Sequence, residues 1–90
     1  MSIEQETPLM TFPCNFVLKV MGEDIDNYAD LVLKVTQRHV EGVDETCMKT
    51  RPSRNGKYIA VSIRLVAQSR EQLDNLYLEL NAHEHTRMAL

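Results

Sequence analysis

Tryptophan is absent from this chain, and glycine and proline number three each. Such a small supply of turn and hinge residues leaves no glycine-rich linker, no low-complexity stretch and no Walker-type or GxGxxG phosphate loop. Cysteine occurs twice, as Cys14 and Cys47, 33 positions apart. That spacing matches no zinc or dithiol motif and leaves both thiols as small hydrophobes. No apolar run approaches the roughly 20 residues of a membrane-crossing helix. The opening Met1-Ser-Ile-Glu-Gln-Glu-Thr-Pro8 has neither the basic start nor the apolar stretch of a secretion signal. A cytoplasmic setting with reduced thiols is the expectation. Positive charge is not in excess either: ten Lys and Arg against thirteen Asp and Glu give a net −3. No global field therefore steers the chain towards nucleic acid or an anionic membrane. Ninety residues bury roughly 60–65% of their unfolded surface, enough for one core and no cavity of enzyme size.

What is present is regular alternation. In Gly56–Ala67, Ile59, Val61, Ile63 and Leu65 alternate with Ala60, Ser62, Arg64 and Val66, the two-residue period of a strand with one buried face. This is the most regular β-stretch in the chain and is expected at the centre of a sheet. Asn15–Met21 repeats the pattern, with Phe16, Leu18 and Val20 inward and Gly22 as its end. Residues 1–11 are polar and aperiodic and are expected to be flexible, so one domain over 12–90 is predicted.

Between these strands the period changes. Ile25, Tyr28/Ala29, Val32, Val35/Thr36 and His39 fall on one face of a helix over 25–39, with Asp24 or Asp26 as cap, Gly42 as stop and His39 facing the last carbonyls. Val43–Arg51 reads as a polar edge strand. It places Thr46, Met48 and Thr50 on one face and Cys47, Lys49 and Arg51 on the other. Pro52-Ser-Arg-Asn-Gly56 has the chemistry of a hairpin turn in which Asn55-Gly56 accepts positive φ. Ser69 and Gln72 form a capping box ahead of Leu73, Leu76, Tyr77 and Leu80. Glu84–Leu90 closes the chain as a short strand, with Thr86, Met88 and Leu90 inward and His85, Arg87 and Ala89 outward. The order βαββαβ predicts an α+β ferredoxin-like sandwich: a four-stranded antiparallel sheet of order 4-1-3-2 with two helices on one face. Strand three then separates the two cysteines.

Several motifs resemble a known family. Phe12-Pro13 and Phe16 followed by Lys19-Val-Met-Gly22, the hairpin Arg51-Pro-Ser-Arg-Asn-Gly-Lys-Tyr58, and Val61-Ser-Ile63 resemble the YbeD-like family of small bacterial proteins. So do Ser69-x-Glu-Gln-Leu-x-x-Leu-Tyr-x-Glu-Leu80 and Arg87-Met88-x-Leu90. Arg54 stands where a second Ser is common, and Ala89 where Val is common. The resemblance covers nearly the whole chain. It implies a ferredoxin-like fold similar in shape to ACT-type regulatory domains and a label of lipoate regulation. It implies no catalytic residues and no cofactor.

Two features can carry binding. The predicted open sheet face gathers Lys19, Lys49, Arg51, Arg64, Arg87 and Tyr58 among Val17, Met21, Ala60, Val66 and Ala89. Such a face suits a solvated surface, contact with a protein partner or an identical copy, or nucleic acid. One aromatic where stacking needs two or three argues against nucleic acid. The hairpin tip, with Arg51, Arg54 and Lys57 beside loop N–H groups, can hold a small carboxylate or phosphate. His83 and His85 are only two ligands, and a metal site would need a third from His39 or a carboxylate; no nucleophile signature is present. The reading is a non-enzymatic regulatory or adaptor domain without metal or cofactor. Carboxylate sensing of ACT type is its alternative.

Overall fold

The alternation of residues 59–67 becomes the strand on which the sheet is built. A computed structural model of the protein describes residues 11–25 and 27–89. The expected flexible segment up to residue 10, the cap Asp26 and Leu90 therefore lie outside the described residues. The strands are β1 (Cys14–Glu23), β2 (Met48–Pro52), β3 (Tyr58–Ala67) and β4 (Thr86–Ala89). The helices are α1 (Tyr28–His39) and α2 (Arg70–Ala82). Sheet order is β2-β3-β1-β4 with every neighbour antiparallel, the predicted 4-1-3-2 read from the other edge. A cis peptide bond joins Phe12 to Pro13 just ahead of β1.

Central position follows from composition. Leu18 and Val20 on β1 and Val61, Ile63 and Leu65 on β3 are buried, and Leu18 pairs directly with Ile63. They pack with Tyr28, Val32 and Val35 of α1 and Leu73, Leu76 and Leu80 of α2 in one core. Helix α2 starts as its residues dictate. Gln72 N–H donates to Ser69 Oγ at 3.0 Å, while the Gln72 side chain accepts from Gln68 N–H at 2.7 Å and donates to the His39 carbonyl at 2.8 Å. One amide thus closes the start of α2 and the end of α1 together.

Five local expectations are corrected. Helix α1 begins at Tyr28, and its cap is Asn27 in the left-handed region (φ 55°) with no side-chain cap bond. Asp24 does not cap it, and Ile25 stands 46% exposed outside the helix. At its other end Val40 is the cap, and His39 Nε2 donates to Glu79 of α2 at 2.7 Å instead of facing carbonyls. Residues 43–47 are not strand. The Asp44 carboxylate accepts from Thr46 N–H at 2.9 Å and caps a 3₁₀ turn over Glu45–Cys47. This bond takes the chain out of the β-ladder, and β2 begins only at Met48.

The other two corrections share one cause. Gly22 does not end β1; it lies inside it, buried, under the ring of Tyr28. The pairing with β4 slips there, from Met21↔Met88 to Gly22↔Thr86, leaving Arg87 as an extra residue. The bulge reverses the expected faces: Met88 is 51% exposed, whereas Ala89 packs on the core. Thr86 remains inward, sharing a 2.7 Å hydrogen bond with the Tyr28 hydroxyl.

Candidate functional site

Two helices cover one side of the sheet, so the alternate residues form an open face whose rows follow from register. Along it lie Asn15 beside Val66, Val17 beside Arg64, and Lys19–Ser62–Lys49 across three strands. The next row spans all four strands as Met88–Met21–Ala60–Arg51, and Glu23 beside Tyr58 ends the series. Lys19, Lys49, Arg51 and Arg64 are therefore brought together on this face, all exposed. With strands about 4.8 Å apart, Lys19 and Lys49 stand roughly 10 Å from each other across Ser62.

Between the cations runs apolar surface. Val17, Met21, Val66 and Met88 are between 39% and 51% exposed and form an apolar patch on this face. Met21 and Met88 lie against Lys19, Ala60 and Ser62 in a shallow depression of about 190 Å³. Met88 is the residue that sequence reasoning placed on the wrong side. Its signal was Gly22, since an isolated glycine in a strand pattern marks a bulge.

Glu23 is the one acid in these rows, and it is already engaged. Its carboxylate pairs with Arg87 and lies 3.2 Å from His85 Nδ1. The Arg87 hydrogen bond, opposed by some burial and aided by His85, holds the Glu23 pKa below the usual carboxylate value. Arg87 is thus tied to the end of the face. A depressed folded pKa means that the stability contributed by this carboxylate is complete above its unfolded pKa and is lost as pH falls through the folded one. Glu23→Gln is accordingly expected to melt below wild type at pH 7. The gap should close as pH drops through the acid range below 4.5, Glu23's unperturbed value. A gap that persists undiminished at pH 2 removes the ion pair as its cause.

The hairpin tip is organised differently from the expectation. Ser53 N–H donates to the Tyr58 carbonyl (2.8 Å) and Gly56 N–H to the Ser53 carbonyl (3.0 Å). Lys57 N–H donates to Asn55 Oδ1 (3.1 Å) and Tyr58 N–H to Ser53 Oγ (3.0 Å). Gly56, at φ 76°, supplies the positive φ of the turn; Asn55 does not. These four N–H groups close the loop on itself, so the arrangement expected to cradle an anion loses them. Arg54 and Lys57 remain at the tip, with the Lys57 ammonium 5.5 Å from the Tyr58 ring centre.

Elsewhere the histidines are engaged in packing. The His83 ring lies 6.2 Å from the Tyr28 ring and 5.4 Å from the His85 ring, while His39 sits apart with Glu79. Among the described residues no three His, Cys, Asp or Glu side chains are grouped to hold a metal, and no helix is long and apolar enough to cross a membrane. Cys14 and Cys47 are free thiols, both half-buried.

Comparison with known proteins agrees with this architecture in extent. A family model described as "Protein of unknown function (DUF493)" matches residues 7–90. The chain is similar to a UPF0250 protein of Chromobacterium violaceum, 36% identical over 87 residues that cover 97% of this chain and 98% of the relative. It is 44% identical over 82 residues to a UPF0250 protein of Vibrio parahaemolyticus, covering 91% and 87% of the two chains. A UPF0250 protein of Neisseria gonorrhoeae is 36% identical over 87 residues, covering 97% and 96%.

Proposed function

Because the chain belongs to the DUF493 family of YbeD-like UPF0250 proteins, we propose that its role is carried by its own surface. It acts as a non-enzymatic adaptor or regulatory domain of the cytoplasm, docking a partner protein on the open sheet face. The partner presents acidic groups around an aliphatic patch. One observation supports this reading: a chain of net charge −3 places Lys19, Lys49, Arg51 and Arg64 around exposed Val17, Met21, Val66 and Met88. The only carboxylate in those rows is held by Arg87. Such segregation of charge favours a complementary surface and speeds its arrival. A second copy meeting face to face would oppose these cations with their own images, so a different partner fits better. Nucleic acid fits worse, since Tyr58 is the one aromatic in the rows and is half-buried. Carboxylate sensing at the hairpin loses support with the loop N–H groups that bond internally.

Panning a random dodecapeptide library on the immobilised protein tests the reading without knowledge of the partner. Enriched peptides are expected to combine Asp or Glu with Val, Ile or Leu, and to bind less tightly as salt rises. The triple variant Lys19→Glu, Lys49→Glu, Arg51→Glu, altered only at exposed side chains, should weaken them at least about tenfold, roughly 1.4 kcal/mol. Absence of acidic enrichment, or equal binding to the triple variant, ends the proposal.

A further inference from the structure

Strand β3 outruns its outer neighbour. β2 pairs with it only from Met48↔Ile63 to Pro52↔Ile59, whereas β1 follows it as far as Cys14↔Ala67. The chain ahead of β2 leaves the ladder because Asp44 caps the 3₁₀ turn of Glu45–Cys47. Residues 64–67 thus have a strand on one side and none on the other. Among the described residues no backbone hydrogen bond from residues 40–47 reaches them. Alternate residues of a strand aim their N–H and C=O to opposite edges, so two of these four present both groups outward.

The edge adjoins a cleft of about 550 Å³, whose lining includes Asn15, Val17, Arg64 and Val66 on the sheet and Glu41, Gly42 and Cys47 on the other side. Arg64 Nη2 reaches across to the Thr46 carbonyl at 3.3 Å, so the far wall lies within a side chain's length of the strand. The cleft is continuous with the open face through Val17, Arg64 and Val66.

We propose that an extended segment of the partner adds a short strand to β3 along Arg64–Ala67, setting an acidic residue beside Arg64 and an aliphatic one, two positions away, beside Val66. This rests on the open face being the partner surface and specifies how that surface is engaged. Free strand N–H and C=O groups are met in series by another extended backbone, which a helix laid in the cleft cannot offer. Arg64 and Val66 are outward neighbours two apart, so the recognised side chains repeat with period two. The outer edge of β2 is a poorer template: it carries Lys49 and Arg51 and ends in Pro52, which has no N–H.

The selected dodecapeptides decide it. Acidic and aliphatic positions two apart are expected. With such a peptide bound, amide hydrogen exchange should slow at least tenfold at two alternate residues of 64–67. Acidic peptides whose key positions recur every three or four residues, or that bind without slowing these amides, overturn the added strand and leave the open-face reading in place. A selection without acidic enrichment overturns both. Protection of the two outward amides of 64–67 in the peptide-free protein, accompanied by a doubled mass in sedimentation, overturns the proposal in favour of a second copy of this chain.

Discussion

Gly22→Ala is expected to lower the melting temperature by roughly 12–24 °C, the equivalent of about 3 kcal/mol. A Cβ built on Gly22 would stand 2.5 Å from Tyr28 Cε2 and 2.7 Å from the His85 carbonyl oxygen, both well inside contact distance. Neither neighbour can yield cheaply. The Tyr28 ring is 1% exposed and its hydroxyl is bonded to Thr86. The His85 carbonyl accepts from Glu23 N–H at 2.9 Å, so displacing it breaks the junction of β1 with the start of β4. Backbone strain contributes nothing, because the positive-φ glycines are Gly42 and Gly56. The loss is steric, and a double-mutant cycle identifies it. Beside Tyr28→Leu, which removes the ring, Gly22→Ala should cost clearly less than in wild type. A cost under about 1 kcal/mol in wild type, or full additivity with Tyr28→Leu, would show that the ring does not press on this glycine.

The same contact explains which parts of the fold were legible. β1 and β3 declare themselves because each keeps its aliphatic residues at every second position, and burial follows that period from Leu18 to Val20 and from Val61 to Ala67. Helix α2 is equally open to reading, since Ser69 and Gln72 act within four residues of chain. The start of α1 was hidden by Asn27, whose left-handed backbone leaves no mark in the periodicity. Residues 43–47 were hidden by a polar sequence that suits an edge strand as well as it suits the turn that Asp44 caps. The faces of β4 could not be read from β4 at all. They are set by Gly22 and Tyr28, more than fifty residues away along the chain. Of the candidate site, Lys19, Lys49, Arg51 and Arg64 came from parity alone and fell together. Met88 for Ala89, the tether on Arg87 and the self-closed hairpin depend on tertiary contacts that parity does not carry.

Ile63→Ala is the substitution expected to cost most, about 4 kcal/mol from lost transfer energy and the cavity left behind. Ile63 is fully buried and sits between Leu18 on β1 and Met48 on β2, in the layer where the sheet meets both helices. Its flanking strands pair on both sides, so the backbone cannot collapse into the void as an edge strand could. A domain of this length has a total stability on the order of 5–13 kcal/mol, and the variant should be partly unfolded near 37 °C. Val66→Ala, three residues along the same strand, supplies the contrast. Val66 is 45% exposed on the opposite face, so its truncation should change stability by less than about 1 kcal/mol. Yet Val66 belongs to the proposed docking surface, and the selected peptides should lose several-fold in affinity for the variant. Stability and binding are therefore expected to separate by parity within one strand: odd-numbered residues of β3 hold the fold, and even-numbered ones meet the partner. Equal destabilisation by the two substitutions in chemical denaturation would mean that the outer face is covered as well. No surface would then remain for a partner.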